Sequence, residues 1–268
     1  MTIAVGIDVG GTKVAAGLVD VTSGDVLNRT EVVTRPERGG GAVLADCAEL
    51  ARELGGGELP VGIGLCELVD LHGLPASAET VDWRGLDLAA RFQAKRVVLE
   101  SDVRAGALAE ARFGAGRGRS PFLYVVVGTG ASMCLVVDQQ PYRGAHGNAI
   151  VLGAPPVEHV ASGGALAGRA GVERAEAVLE DPARADLVRE AAAELARVLA
   201  VLANALDPEV IVLAGGLGRA EAFLAHVRVV SELVAYPELA TLDVVASALG
   251  ADGGIVGAAL AAVDDHGR

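Results

Sequence analysis

The chain has 268 residues, enough for one large domain or two lobes with separate cores. Its 22 basic and 35 acidic side chains give a formal charge of −13, which opposes nucleic acid and anionic membrane surfaces as partners. Half of it is apolar but only 3% is aromatic, so the core must be Ala, Val, Leu and Ile, and its longest apolar runs, such as 253–263, are too short and glycine-rich to span a bilayer.

Residues 3–8 predict a buried strand, Gly10–Gly11 a turn, 14–20 the returning strand and 26–33 a third antiparallel strand. Val43, Leu44, Cys47, Leu50 and Leu54 follow at helical spacing between glycine-rich ends, and the segment from Val61 to Asp70 is strand-like. Residues 86–92 predict a short helix, 96–100 a strand and 103–112 an Ala-rich helix. The glycine- and arginine-rich stretch 114–121 is the expected lobe boundary, giving lobes 1–117 and 118–268.

The second half repeats the opening pattern. Residues 122–138 read as strand, glycine turn, strand; 186–206 as a long helix with Leu187, Ala191, Leu195, Leu199 and Leu202 on one face. A strand into a glycine turn follows at 208–218, then a helix at 220–233, a last strand at 242–247 and a last helix at 253–263. Hairpin-rich and helical segments alternating twice imply an α/β protein of two similar lobes. Cys47, Cys66 and Cys134 are odd in number without C-x-x-C spacing, which favours neither a disulfide framework nor a zinc knuckle and fits a reducing cytoplasm. The first strand begins at residue 3 with no basic leader, so no signal peptide is expected.

Three glycine turns carry the chemistry: D-V-G-G-T-K (8–13), V-G-T-G (127–130) and L-A-G-G-L-G (213–218). None is a P-loop, and the first two lead into strands rather than helices, unlike a dinucleotide fingerprint. Such a turn exposes consecutive N–H groups and lets a phosphate approach, although each alone is compatible with a plain hairpin. Asp8, just before the first turn, is placed to hold a hydrated magnesium beside phosphates.

Taken in order, G-I-D-V-G-G-T-K-V-A-A-G-L-V-D, V-V-V-G-T-G, D-P-E-V-I-V-L-A-G-G-L-G and G-A-D-G-G-I-V-G-A-A-L-A resemble the ROK family (repressors, open reading frames and sugar kinases) of the actin-like, hexokinase-like ATPase superfamily. The resemblance covers essentially the whole chain, including W-R-G-L-D-L from Trp83 and R-G-A-H-G-N from Arg143 to Asn148. It implies a two-lobed actin-like (ribonuclease H-like) fold with a cleft between the lobes, the final helix packing back on the first, and a homodimer. It also implies ATP across the glycine turns, held by Asp8, Gly10, Gly11, Thr12, Lys13, Gly128, Thr129, Gly130, Gly215 and Gly216, with magnesium at Asp8 through water.

The family's catalytic base is the Asp of an Asn-Asp pair at a strand end, a role that falls here to Asp102 in V-V-L-E-S-D-V-R. As general base it would accept the proton of a sugar hydroxyl; Asp and Ser are also favoured helix N-caps, and the two roles are compatible. Ser101 stands where the family has Asn, and Arg104 is open to a capping or a substrate contact. With Glu79, His146, Asn148 and Glu158 they form the expected substrate-binding set, while Glu110 reads as structural.

Much of the family's sugar site is replaced. After R-G-x-x-G-N-A the pattern continues Gly-Glu-x-Gly-His and a cysteine-rich zinc loop; here Val151 and Ala154 take the Glu and His positions and the loop is deleted, so no zinc is expected. Glu158 survives, and a lone His159 lacks partners at ligand spacing. A usual Pro-Gly has become Cys66–Glu67. These losses disfavour a glucose-like acceptor and point to a non-standard sugar, an amino-sugar or a cyclitol. The alternatives are a degenerate member that binds a nucleotide or small ligand without turnover, and the repressor branch, which the charge and the early first strand oppose.

Overall fold

The computed structural model describes residues 1–92, 94–150 and 155–264. The chain opens with β1 (Ile3–Val9), β2 (Lys13–Asp20), β3 (Asp25–Val33), α1 (Gly40–Glu53), β4 (Pro60–Leu65), β5 (Arg96–Ser101) and α2 (Asp102–Phe113). There follow β6 (Phe122–Val127), β7 (Ala131–Val137), β8 (Gln140–Pro141), α3 (Pro155–Val160), α4 (Gly163–Ala170), α5 (Glu176–Leu179) and α6 (Ala185–Leu206). The last elements are β9 (Val210–Ala214), α7 (Gly215–Gly218), α8 (Glu221–Val227), α9 (Val230–Leu233), β10 (Asp243–Ala246) and α10 (Gly253–Val263).

Two compact units result. One takes Met1–Phe113, Arg143–Ala149 and the chain from Ala251 onward; the other takes Gly114–Tyr142 and Ile150–Gly250. Each holds a five-stranded sheet, ordered β3-β2-β1-β4-β5 in the first and β10-β9-β6-β7-β8 in the second. In both, a central strand pairs antiparallel with its hairpin partner on one side and parallel with a later strand on the other. The repeated grammar of the sequence is thus a repeated topology, and the α/β class holds.

In the first unit, β1 and β4 are buried on both faces, which is why they read as continuous apolar runs. Helix α1 covers the sheet with Val43, Leu44, Cys47 and Leu50, while α10 and α2 pack together and α10 lies on β1 and β4. That packing has almost no side-chain layer. A Cβ at Gly6, Gly62 or Gly257 would overlap the carbonyl oxygens of Ile255, Ala258 and Ala105 respectively. In the second unit the long α6 buries Leu195 and Leu199 against Leu123, Val125, Ile211 and Leu213, with Phe223 and Leu224 from α8.

Two expected helices differ. Residues 86–92 form only a turn and a single 3₁₀ turn at Ala89–Arg91, with Asp87 Oδ1 accepting the Ala90 N–H, because so short a stretch cannot offset helix nucleation. The segment 220–233 splits into α8 and α9, and Arg228 at the break donates to the Val244 carbonyl at 3.3 Å. Among the described residues no helix is long and apolar enough to cross a membrane.

The glycine contacts set opposite expectations for two alanine substitutions. Gly62→Ala must push α10 off the sheet and should cost on the order of 3 kcal/mol. Gly168→Ala, inside α4 with nothing near its Cβ, should stabilise by about 0.5–1 kcal/mol. Urea unfolding of both variants checks the pair.

Candidate active site

The chemistry-bearing groups of the first unit gather at the carboxyl ends of its parallel strands, where α/β sheets place ligands. Asp8 of β1 lies in register with Gly64 of β4, and Gly64 with Glu100 of β5; α2 then starts at Asp102, and a Cβ at Gly64 would stand 3.4 Å from the Asp102 Cα. A Cβ at Gly254 would stand 2.5 Å from Asp8 Cγ, so the Asp8 carboxyl rests on the first turn of α10.

Both aspartates are hard to ionise. Burial raises Asp8 to about 6, against the pull of Lys13 and Arg29. Burial, then the Asp8 charge and, more weakly, that of Glu67 raise Asp102 to about 8, while the Val103 N–H, donating at 2.7 Å, works the other way. Burial also pushes the nearby Cys66 thiol up to about 12, with the Asp102 and Glu67 charges adding to it.

Capping of α2 falls to Ser101. Its hydroxyl accepts the Arg104 N–H at 3.2 Å and the residue is fully buried, so the cap uses the group expected to meet substrate. Asp102 is thereby not needed as the cap. Glu100 Oε1 accepts the Ser101 N–H (2.9 Å) and Arg104 Nε (2.6 Å), and its Oε2 accepts Arg143. The remaining Arg104 nitrogens donate to the carbonyls of Gly147 (2.6 Å) and Val69 (2.5 Å), and Arg104 has no exposed surface. Its contacts are therefore internal: it ties the start of α2 to the two loops, and exposed His146 and Asn148 flank the anchored Gly147.

A second buried carboxylate was not among the predicted site residues. Glu67 accepts the Ser77 hydroxyl and the N–H groups of Glu79 (2.8 Å), Thr80 (2.7 Å) and Val81 (2.9 Å). Its only signal in the sequence is the departure from Pro-Gly at Cys66–Glu67. The side chains of Glu79 and Thr80 remain exposed.

The first glycine turn is braced by Thr34, whose hydroxyl donates to the Gly10 carbonyl (2.6 Å) and whose N–H donates to that of Thr12 (3.1 Å). Gly11, Thr12 and Lys13 are exposed, and Lys13 reaches Glu31 at 3.3 Å. In the second unit, the Gly163 and Gly164 N–H groups hold the Gly128 and Thr129 carbonyls at 2.7 and 3.0 Å, leaving Thr129 and Gly130 exposed. Gly215 has φ +82°, and a side chain there would overlap the Val127 carbonyl; Gly216 lies beside the Glu176 carboxylate. Glu158 sits on that same second turn, its Oε2 accepting the Ala131 N–H at 3.1 Å, and His159 is exposed. Among the described residues no three His, Cys, Asp or Glu side chains cluster as metal ligands, and Val151 and Ala154 lie outside the described residues.

Known proteins with the same pattern share both sequence and fold. The family model described as ROK family matches residues 4–265. A glucokinase of Streptomyces coelicolor is 30% identical over 310 residues, covering 97% of each chain. A polyphosphate glucokinase of Mycobacterium tuberculosis is 30% identical over 271 residues, covering 97% of this chain and 91% of that protein. The solved ROK family glucokinase from Streptomyces griseus, in complex with glucose and AMPPNP, superposes with a TM-score of 0.84 at 28% identity, covering 97% of this chain and 99% of that one. Its likeness, with the two repeated sheets, identifies the actin-like ATPase fold.

The raised aspartates give a stability signature. Their folded forms hold protons more tightly than the unfolded chain, so their contribution is complete below about pH 4 and is lost as pH rises through about 6 for Asp8 and about 8 for Asp102. Asp102→Asn removes the larger cost. Without ligand it should melt several degrees higher than the parent at pH 8.5, on the order of 1–3 kcal/mol, with the difference shrinking as pH falls and little of it left at pH 4. A variant that melts lower at pH 8.5 contradicts the assignment.

Proposed function

We propose that this chain, which belongs to the ROK family, is an ATP-dependent kinase acting on a hydroxyl of a non-standard sugar, amino-sugar or cyclitol, with Asp102 as general base. The observation that carries the reading is the Asp102 carboxyl itself: excused from capping by Ser101, half-buried near the Asp8 charge and held near neutrality. A base is most useful when its pKa lies close to the working pH.

In the proposed step the acceptor hydroxyl gives its proton to an Asp102 carboxylate oxygen as its own oxygen bonds to the γ-phosphorus. The bond from that phosphorus to the bridging oxygen breaks, ADP leaves, and Asp102 ends protonated until solvent takes the proton. In the first unit exposed Gly11, Thr12 and Lys13 would offer backbone groups and a cation to phosphates, while the Gly10 N–H closes the turn on the Lys13 carbonyl at 3.0 Å. In the second unit the Gly128 N–H closes the turn on the Gly130 carbonyl at 2.9 Å, exposed Thr129 and Gly130 would face the phosphates, nothing lies within 4 Å of a Cβ at Gly128, and Gly215 and Gly216 would let a nucleotide approach the backbone.

The donor set suits magnesium. This ion keeps several waters and takes one or two carboxylates together with substrate phosphates, so Asp8 is sufficient without a cage of protein ligands. Bound there it would offset the phosphate charge.

The acceptor reading follows from the chain's own substitutions. Val151 and Ala154 offer no partner to a hydroxyl, and each hydroxyl left unpaired costs about 1–3 kcal/mol. Ser101 and Arg104 are spent inside the protein, which leaves exposed Glu79, His146 and Asn148 of the first unit for the acceptor.

An ADP-release assay across hexoses, amino-sugars and cyclitols tests the activity. Asp102→Asn should lower kcat about 10²–10⁴-fold while calorimetric ATP affinity stays within twofold. Equal turnover in the variant removes Asp102 from the role. Parent protein that binds ATP but releases no ADP above background with any acceptor establishes the degenerate, ligand-binding alternative instead.

A further inference from the structure

We propose that Glu67 is a positioning residue for acceptor binding, its buried carboxylate serving as the internal anion around which the 77–81 loop is folded against the first glycine turn. Only the loop's assignment to the acceptor rests on the kinase reading; the folding of the loop by Glu67 does not.

Glu67 is 3% exposed, and a carboxylate is costly to bury unless strong donors replace its water. Four donors do so. Oε2 takes the Ser77 hydroxyl and the Glu79 N–H; Oε1 takes the Thr80 and Val81 N–H groups. Three successive amides converging on one carboxylate repeat, from within the chain, the arrangement by which backbone nests hold free anions. Ser77 extends the network, since its oxygen also accepts the Leu68 N–H at 2.9 Å and so clamps the loop to the residue after Glu67.

The loop held in this way faces the site. The Thr80 methyl group is the nearest atom to a Cβ built on Gly11, at 3.1 Å, so the loop and the first phosphate turn are packed together. Glu67 and Thr80 both act on the Cys66 thiol, and Glu67 acts on Asp102, so the anchor stands close to the proposed base. With its backbone turned inward to Glu67, the loop leaves the side chains of Glu79 and Thr80 outward. A carboxylate accepts on both oxygens, whereas an amide at 67 would present N–H₂ to one pair of donors. Glu67→Gln therefore opposes the Glu79 amide, or both the Thr80 and Val81 amides, according to which way its N–H₂ turns, without changing side-chain size.

Two measurements on the full chain test this. In the first, hydrogen exchange is followed without ligand in the parent, Glu67→Gln, Ser77→Ala and Ser77→Thr. Glu67→Gln should speed exchange at the amides of residues 79, 80 and 81 at least tenfold and leave β1 amides unchanged. Ser77→Ala should do so by less, and Ser77→Thr, which keeps the hydroxyl, should restore protection. In the second, glucose, glucosamine and myo-inositol serve as acceptors. Glu67→Gln should raise the acceptor KM at least tenfold, with the ATP KM within twofold and kcat lowered less than tenfold; Ser77→Thr should stay near the parent.

Unchanged exchange overturns the proposal even if the kinase is active. Lost protection with unchanged acceptor KM also overturns it. If the parent turns over none of the three compounds, calorimetric binding of the same three replaces KM. Affinity lost in Glu67→Gln then supports the positioning role while the kinase reading fails, and no binding by the parent overturns both.

Discussion

The first unit depends on the absence of side chains where α10 meets the sheet. Backbone carbonyls of α10 lie where Cβ atoms of Gly6 and Gly62 would be, and the Ala105 carbonyl of α2 lies where that of Gly257 would be. No loss of apolar area follows, because Ile255, Val256, Ala258 and Ala259 are all fully buried. What is gained is position. The close approach carries Gly254 onto the Asp8 carboxyl and holds α2, which Asp102 opens, against α10. The placing of the two aspartates is thus a consequence of helix–sheet distance rather than of any loop.

Four acidic groups in this unit divide into two kinds by what surrounds them. Glu67 and Glu100 are sunk among donors: a hydroxyl and three amides for one, an amide and two guanidiniums for the other. Such carboxylates organise backbone, because removing any partner would leave a buried charge uncompensated. Asp8 and Asp102 receive far less; burial raises both and the Asp8 charge adds to it at Asp102, the state expected of groups kept available for a ligand. The contrast sets the anchoring Glu67 and Glu100 apart from the proposed site pair Asp8 and Asp102 without reference to sequence position. It also explains why Arg104, two residues after the proposed base, is a strut between Val69 and Gly147.

The glycine turns, the strands around them and the repeated α/β order were legible because period-2 and continuous apolar runs broken by glycine have few other solutions. The place of Asp102, at a strand end where a helix begins, was legible through its motif. The division of labour around it was not. Whether Ser101 or Asp102 caps α2 depends on which side chain turns inward, and sequence favours both equally. Arg104 was open between capping and substrate contact; its burial follows from partners 35 and 43 residues away, beyond any local pattern. Glu67 showed only as a lost Pro-Gly, and its four donors lie 10–14 residues downstream. The break in 220–233 was hidden because Phe223, Leu224, Val227 and Val230 keep helical spacing across it, all of them buried.

These internal ties bear on how an acceptor could be chosen. A sugar site built on polar side chains discriminates through hydroxyl partners, and Ser101 and Arg104, expected among them, are already engaged inside the protein. What the first unit fixes instead is backbone: the Thr80 loop through Glu67, and the Val69 and Gly147 carbonyls through Arg104. Backbone held by buried charge is stiff, since moving it exposes a carboxylate or guanidinium to loss of partners worth several kcal/mol. A stiff, sparsely polar wall selects by shape and excludes rings whose hydroxyls need direct partners. In the proposed reading such a wall suits a less hydroxylated or amino-substituted ring at Asp102, and buried Glu67 and Arg104 would act on the choice by holding backbone.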